Sequence, residues 1–361
     1  MDESELHKVA PEARRGRGAA TNETGRYERE TRVAVADGWE RDAPAILRTV
    51  TREERPRRAI TRNSSPDVAF DRSLNPYRGC EHGCIYCFAR PSHAWLGLSP
   101  GLDFETRLVV RPGIGAVLAR ELARPSYRPG VLAIGTNTDP YQPVERDARA
   151  MRGVLEVLAA HRHPVAIVTR GALIERDLDI LSEMAGQGLV QVGVSVTTLD
   201  AALARRMEPR APAPARRLAM IRALSEAGIP VRAMVAPVIP ALTDPELEAI
   251  LAAGAQAGAR AASWIMLRLP REVSPLFRDW LDEHYHGRAA RVMARLREMH
   301  GGQDYRADWG HRMRGEGPYA ELIGQRFRLA VKRLGLATGL PALRTDLFRV
   351  PPKVGDQLDL F

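Results

Sequence analysis

Short, almost continuous apolar runs alternate with amphipathic stretches through the middle of this 361-residue chain. The runs are VLAIG, VAIVT, VQVGVSV, VRAMVAPVI and SWIML, at residues 131–135, 165–169, 190–196, 231–239 and 263–267. Runs of this kind are typical of strands in a parallel sheet that is covered on both faces. Helical candidates lie near residues 145–160, 174–185, 215–227 and 245–257. The alternation predicts βα units joined by right-handed crossovers.

A further strand is expected around residues 68–74, which brings the number of strands to six. Six strands are too few for a closed eight-stranded barrel. We therefore expect an α/β fold, a partial (β/α)6 TIM-like barrel over residues 63–270. An Arg/Gly-rich N-terminal arm over residues 1–62 is predicted to be flexible and partly disordered. A helical C-terminal extension over residues 271–350 and a tail over residues 351–361 complete the predicted organisation.

The composition excludes a membrane protein but does not decide whether the chain binds nucleic acid. No run approaches about 18 uninterrupted apolar residues, and the N-terminus lacks the apolar core of a signal peptide, so we expect a cytoplasmic protein. The chain has 53 basic and 44 acidic residues, a formal net charge of +9. Only three of the basic residues are lysines. This arginine excess reflects either compositional bias or contact with nucleic acid.

All three cysteines fall within eight residues, at Cys80, Cys84 and Cys87. An odd number without a secretory signal argues against disulfides. Thiolates select soft metals, and three on one short loop would leave one iron of a cubane cluster open to a ligand from outside the protein. The alternative is a structural zinc site with His82 as the fourth ligand.

The spacing C-x3-C-x2-C, with Tyr86 before the last cysteine, resembles the signature of the radical S-adenosylmethionine (SAM) enzymes. The phrases GTNTDPYQPVE, VAPVIPALTD and MLRLPREV are similar to those of the spore photoproduct lyase-like branch, also called DNA repair photolyase-like. The resemblance implies that Cys80, Cys84 and Cys87 bind three irons of a 4Fe-4S cluster and that SAM chelates the fourth. An external electron donor would then drive cleavage of SAM to a 5′-deoxyadenosyl radical, which abstracts hydrogen from the substrate. It also implies a lyase-like reaction on nucleic acid, in particular DNA.

Small polar residues follow the predicted strands, at the end where barrel enzymes place their reactive centre. Thr136, Thr138 and Asp139 follow the second strand, and the resemblance implies that Asp139 binds the methionine amino group. The alternative is that this segment only builds a turn. Thr169 and Arg170, after the third strand, are either ligands or a loop cap.

Two further groups complete the predicted SAM site. Ser195 ends the fourth strand and is expected to contact the ribose or the carboxylate. The residues after it either contact the cofactor or cap the next helix: Thr197, Thr198 and Asp200. Glu208 and Arg210 are predicted to pair, either at the surface or with the arginine steering the SAM carboxylate. The segment VAPVIP resembles the part of the family that contacts adenine, although an edge strand ending in prolines explains it too.

The resemblance breaks at hydrogen return. Spore photoproduct lyase returns a hydrogen atom from a cysteine outside the cluster motif, and no such cysteine exists here. The same lesion repair by the same route is therefore not expected. Tyr141 or Tyr305 could act as a relay, or each could simply be a buried or stacked aromatic. Quenching by the deoxyadenosine itself is a third alternative.

The chain ends in Gln357, Leu358, Asp359, Leu360 and Phe361. This pattern resembles the peptide that bacterial polymerases and repair proteins insert into the sliding clamp, where short terminal segments are recognised. The alternative is that the peptide packs back on the body. Our first hypothesis is a radical SAM enzyme that acts on nucleic acid and is delivered by the clamp. The alternatives are radical modification of a protein or small metabolite, and a non-catalytic iron-sulfur adaptor that binds the clamp.

Overall fold

The structure is a computed structural model that describes residues 7–31 and 45–352. Its strands are β1 (Val50–Glu53), β2 (Thr61–Arg62), β3 (Arg72–Leu74), β4 (Tyr77–Arg78), β5 (Arg107–Val110), β6 (Leu132–Ile134), β7 (Val165–Thr169), β8 (Val190–Ser195), β9 (Val231–Val238) and β10 (Ala261–Met266). The main sheet has the order β10-β9-β8-β7-β6-β3-β2. Strands β3 and β6 to β10 are parallel, and β2 pairs antiparallel with β3 at one edge. The six predicted strands and the partial TIM-like barrel are confirmed.

The helices lie between and after these strands. They are α1 (Asp103–Thr106), α2 (Ile114–Leu122), α3 (Glu145–Ala148), α4 (Ala150–Ala160), α5 (Leu178–Gly186), α6 (Ala201–Met207), α7 (Pro214–Glu226), α8 (Leu247–Gln256), α9 (Val273–Met299) and α10 (Pro318–Arg333), with 3-10 helices at Arg90–Leu96, Ala172–Asp177 and Asp244–Glu246. Pro214 suits the first position of α7 because its missing N–H needs no partner there. Gly228, with φ +80°, follows the end of the same helix.

The core fixes the level at which the parallel strands end. Ile134, Ile167 and Val192 lie side by side across β6, β7 and β8 and are at most 1% exposed. Burying each such side chain contributes about 2 kcal/mol to folding. A slip of one residue would turn this apolar row to the wrong face. The register therefore places Thr169 and Ser195, at the ends of β7 and β8, at the same rim of the barrel.

A second, three-stranded sheet supports the start of the cysteine loop. Strand β5 pairs in parallel with β1 and antiparallel with β4. Tyr77 lies opposite Val110, and Arg78 lies opposite Val109. The chain thus leaves β4 from a fixed position two residues before Cys80.

The described residues of the N-terminal arm pack against the rest of the protein. The backbone N–H groups of Gly18 and Ala19 donate to the carboxylate of Glu105, at 2.8 and 2.9 Å. Arg17 donates to the Glu105 carbonyl at 2.9 Å, and Arg90 pairs with the Glu105 carboxylate at 2.5 Å. Glu105 and Arg90 are fully buried. This part of the arm is packed, although its composition predicts a flexible and partly disordered segment, because its polar groups find partners in the rest of the protein.

The C-terminal helices cover one side of the barrel. Helix α9 has a kink at Tyr285, where φ is −143° and ψ is 40°. Helix α10 is tied to α8 by a 2.6 Å ion pair between Arg326 and Glu248. Within residues 7–31 and 45–352, no helix combines the length and apolar character that a membrane crossing needs. The clamp-like peptide, residues 357–361, lies outside the described residues.

Candidate active site

The cysteine loop runs from β4 to the 3-10 helix at Arg90–Leu96 and is shaped by two glycines. Gly79 and Gly83 have φ of +78° and +67°, a conformation that favours glycine. A Cβ on Gly83 would lie 2.6 Å from the Glu105 carboxylate. The backbone N–H of Cys80 donates to the Phe104 carbonyl at 2.9 Å. The Glu105 side chain, which binds the arm, therefore also packs against the cysteine loop.

One cavity at the carboxyl ends of the strands collects the sulfur atoms and most of the predicted cofactor residues. Cys80 and Cys84 are buried and Cys87 is partly exposed. The cavity is lined by these three cysteines and by the predicted residues Tyr86, Thr136, Thr138, Asp139 and Ser195. Neither Glu208 nor Arg210 is among its lining residues. Residues that are far apart in the sequence therefore line a single cavity.

Arg170 contacts a cysteine sulfur of the loop directly. It follows β7, and its Nη1 donates to Cys84 Sγ at 2.8 Å and to the hydroxyl of Tyr86 at 2.8 Å. Burial raises the pKa of the Cys84 thiol to about 12, and the positive charge of Arg170 opposes that rise. The guanidinium therefore favours the thiolate, the form that binds metal. Of the two alternatives predicted for Arg170, the structure supports contact with the site.

Glu208 lies beneath the cavity at the centre of a buried hydrogen-bonded network. Its Oε1 accepts from Arg170 Nη1 at 2.9 Å and from Thr197 Oγ1 at 3.0 Å, and also from the Tyr86 hydroxyl. Its Oε2 accepts from Arg217 in helix α7. Burial by itself would raise the pKa of Glu208, but Arg217 and Arg170 outweigh it and hold the pKa at about 2. The carboxylate is thus ionised and orients both Arg170 and Tyr86.

The predicted pair between Glu208 and Arg210 is wrong. Arg210 pairs with Glu81 at 3.1 Å and its side chain is 38% exposed, whereas Glu208 is 1% exposed. The two residues flank Pro209 in the turn that follows helix α6, and the Glu208 carboxylate is already bonded to Arg170 and Arg217. Arg210 therefore fastens the cysteine loop from outside through Glu81.

Asp139 reaches the cavity wall, but protein groups already occupy most of its carboxylate. Oδ1 accepts from Thr169 Oγ1 at 2.6 Å and from the Tyr141 backbone N–H at 2.9 Å. Oδ2 accepts from the Arg170 backbone N–H at 2.8 Å and lies 3.5 Å from His82 Nδ1. Burial opposes ionisation, but His82 and these hydrogen bonds lower the pKa to about 2. Binding of the methionine amino group by Asp139 stays a prediction, and the structure adds a turn-forming role.

The remaining predicted polar residues divide between the cavity and helix caps. Thr138 is buried and donates to the Tyr77 carbonyl at 3.1 Å. Asp200 caps α6, accepting from the backbone N–H groups of Ala202 and Leu203. Thr198 donates to Glu246 at 2.6 Å. For Asp200 the capping alternative is therefore the observed one.

The cysteine motif and the barrel lie inside the region that matches a known family model. Residues 74–253 match the model of the Radical SAM superfamily. The uncharacterized protein Rv2578c of Mycobacterium tuberculosis is 42% identical over 243 residues, covering 66% of this chain and 70% of that protein. The chain belongs to the radical SAM superfamily. The uncharacterized protein MJ0683 of Methanocaldococcus jannaschii is 27% identical over 173 residues, 48% of this chain and 62% of that protein.

Solved structures share the fold of this radical SAM protein. A variant of spore photoproduct lyase aligns with a TM-score of 0.57 and 16% identity, over 80% of this chain and 81% of that chain. Another variant, solved with bound AdoMet and dinucleoside spore photoproduct, aligns with a TM-score of 0.55 and 15% identity, over 76% of this chain and 77% of that chain. The fold agrees with the branch that the sequence resembles.

The cofactors of a radical SAM protein are a 4Fe-4S cluster and SAM, and the donor set fits this cluster. Cys80, Cys84 and Cys87 would hold it, as three soft ligands around one cavity. His82, the fourth ligand of the zinc alternative, instead has Nδ1 facing Asp139. Among the described residues, no three Cys, His, Asp or Glu side chains are close enough to hold a single metal ion.

Several cavity residues of this radical SAM protein were not predicted. Met234 and Ile265 line the cavity with Ala236 and Pro237 of the VAPVIP segment. Every second residue of a strand points to the same face, so the sequence of β9 could have shown that Met234 and Ala236 share one face. Arg268 also lines the cavity, and its guanidinium lies 4.1 Å from the centre of the Phe88 ring. No sequence pattern singles out that pair.

The two tyrosines considered as relays lie in different surroundings. Tyr141 is buried and its hydroxyl donates to Asp177 at 3.1 Å, and it is not among the cavity-lining residues. Tyr305 is half-buried and lies near Arg268, which does line the cavity. Of the two candidates, Tyr305 is connected to the site.

Proposed function

We propose that this chain cleaves SAM reductively and directs the resulting 5′-deoxyadenosyl radical to nucleic acid, in particular DNA, for repair or modification by a lyase-like reaction. The observation that carries the proposal is the cavity at the strand ends, where three cysteines and the polar residues of β6, β7 and β8 meet. When bound, the cluster supplies the electron that breaks the C–S bond of SAM.

The residues of this chain hold and enclose that chemistry. Arg170 donates to the Cys84 sulfur and is itself held by Glu208, so the network would keep charge near the cluster in one arrangement. Met234 and Ile265 form an apolar wall that would exclude water from a radical. Thr136 and Ser195 present polar groups to the same space and would orient SAM.

Nucleic acid as the target rests on separate support. Spore photoproduct lyase, which shares the fold, has been solved with a dinucleoside photoproduct bound. The chain carries a net charge of +9. Phe88 is 44% exposed beside Arg268 at the cavity, and stacked aromatic and arginine side chains are common platforms for bases.

Anaerobic mass spectrometry tests the proposal directly. Reconstituted protein, reduced with dithionite, should form 5′-deoxyadenosine and methionine, and DNA should increase the yield over RNA and over no substrate. Cys84→Ala should abolish the product, whereas Ser182→Ala, on helix α5 outside the cavity, should retain it. Absence of 5′-deoxyadenosine under all conditions would leave the non-catalytic adaptor. Product formation that DNA does not stimulate would point instead to a protein or a small metabolite.

We propose a bacterial sliding clamp as a partner of Gln357, Leu358, Asp359, Leu360 and Phe361, and an external electron donor in the cytoplasm. Deleting these five residues should abolish retention of the protein on immobilised clamp. The yield of 5′-deoxyadenosine should stay the same because the cavity-lining residues all fall between Cys80 and Arg268 of the chain. Equal retention with and without the peptide would overturn the clamp assignment.

A further inference from the structure

An arginine-lined groove runs beside the cavity. It encloses about 990 Å³ and is bordered by the segment between β1 and β2, by β4 and by Arg111, which directly follows β5. Its charged lining residues are one glutamate, Glu54, and six arginines: Arg55, Arg57, Arg58, Arg62, Arg78 and Arg111. A pocket of this size is at the upper limit for small ligands. So large an excess of positive charge fits a polymer with repeated negative charges.

Half of these arginines are available to a ligand. Arg55, Arg57 and Arg58 are exposed. None of the three side chains has an acidic partner among the residues that the structure describes. Glu54 is already shared by Arg78, at 3.1 Å, and Arg111, at 3.4 Å. An incoming anion would therefore meet, on one short segment, three guanidinium groups that no described carboxylate pairs with.

Buried contacts hold that segment in place. The backbone N–H groups of Ala59 and Ile60 donate to the two carboxylate oxygens of Glu121, at 3.1 and 3.0 Å. Arg111 donates to the Arg58 carbonyl at 2.7 Å. Ala59 is 1% exposed. The arginines are thus displayed from an anchored backbone, which lowers the entropic cost of binding.

The groove and the cavity share part of their walls. Thr136 and Asn137, which follow β6, line both. A polymer lying in the groove would therefore pass the mouth of the space that the three cysteines line. A base that reacts inside this cavity would first have to leave a duplex stack.

We propose that this groove binds the phosphodiester backbone of a single strand of nucleic acid and leads the strand to the cavity. Guanidinium groups match phosphate oxygens in geometry, often with two hydrogen bonds. Each nucleotide carries one such charge, whereas the side-chain carboxylates of an acidic peptide alternate in direction along an extended chain. The catalytic use of the groove rests on the proposed function; strand binding does not.

Fluorescence anisotropy on the full-length, anaerobically reconstituted protein tests the groove. The probes are single-stranded DNA, the duplex of the same sequence and poly-glutamate, each titrated at salt concentrations between about 50 and 200 mM. The variant Arg55→Gln/Arg57→Gln/Arg58→Gln should lower the salt-dependence slope for single-stranded DNA by about 2, at roughly 0.7 per lost phosphate contact. The control Arg222→Gln/Arg260→Gln/Arg291→Gln removes the same charge from exposed positions outside the groove and should leave the slope unchanged.

The outcomes separate the groove from the catalytic proposal. Loss of single-strand binding in the groove variant, with substrate-free 5′-deoxyadenosine formation retained, supports the groove. Equal slopes for the groove variant and the wild type would overturn it, while DNA-stimulated product would still support the proposed function. Poly-glutamate or duplex bound as tightly as the single strand would overturn the choice of ligand. Groove-dependent DNA binding without any 5′-deoxyadenosine would overturn the proposed function alone.

Discussion

Replacing Glu208 with glutamine should destabilise the protein because it removes the buried carboxylate that pairs with both Arg170 and Arg217. Glu208 is 1% exposed and accepts from Arg170 and Arg217. Its pKa of about 2, against an ordinary value of 4.5, corresponds to about 3 kcal/mol at neutral pH. Removing one partner of a buried ion pair commonly costs about 3 to 5 kcal/mol. We therefore expect Glu208→Gln to lower the free energy of unfolding by about 3 kcal/mol.

The same substitution should change the pH dependence in a defined window. The folded-state pKa of Glu208 lies below its unfolded-state value, so the ionised carboxylate stabilises the fold above about pH 4.5. This contribution is lost as the pH falls towards the folded-state pKa of about 2. The difference in stability between wild type and Glu208→Gln should therefore be full at pH 7 and shrink between pH 4.5 and 2.

Urea unfolding of the cluster-free protein, followed by tryptophan fluorescence, measures this difference. Glu156→Gln is the control, because Glu156 is 59% exposed and pairs only at the surface with Arg152. The control should change the free energy of unfolding by less than about 1 kcal/mol. A cost for Glu208→Gln no larger than that of the control, or a difference independent of pH, would refute the assignment of Glu208 as the buried anchor of Arg170 and Arg217.

Two more predictions concern the arm and a barrel turn. Glu105→Gln should lower the free energy of unfolding by about 3 kcal/mol because it leaves buried Arg90 without its carboxylate. It should also speed tryptic cleavage near residue 17, whereas the control Glu12→Gln, at an exposed position, should change neither stability nor cleavage. Equal cleavage rates for the two variants would contradict the contact between the arm and Glu105. Gly135→Ala should cost about 3 kcal/mol in urea unfolding, since φ is +89° and the new Cβ would lie 1.9 Å from the Val168 carbonyl oxygen. Gly153→Ala, in helix α4 with open space around the site, should raise the free energy of unfolding by about 0.5 to 1 kcal/mol. If Gly153→Ala destabilised the protein more than Gly135→Ala, the constraint assigned to the turn at Gly135 would be wrong.

Local patterns account for what could be predicted. Residues 165–169 were predicted as a strand and form β7 with the same bounds, because an apolar run bounded by polar residues can bury both faces only inside a covered sheet. The cluster-binding loop could also be predicted from sequence, because its three cysteines lie within one short segment and their spacing is visible without any distant partner. Helix α6 was anticipated only through its cap, Asp200, because the helix is seven residues long and carries little periodic signal.

Contacts between distant segments explain the remaining differences. Arg210 was paired with Glu208 on proximity in sequence, yet the partners of Glu208 are Arg170, 38 residues before it, and Arg217 on the next helix. The arm was predicted to be flexible because it is rich in charged residues and glycine and has no sustained helical or alternating period, whereas Glu105 meets Gly18 across 87 positions. Charge pairing acts through space, so composition cannot indicate which pairs form.

The sequence by itself determined the parallel barrel and the three thiols that a cluster requires, because strand periodicity and ligand spacing are properties of short segments. Only the tertiary structure decided which cation meets Cys84, that Glu208 is buried, and that Arg55, Arg57 and Arg58 line a groove beside the cavity. The physical reason is that hydrophobic pattern specifies which face of an element is buried. Barrel closure and packing then determine which buried or exposed faces meet.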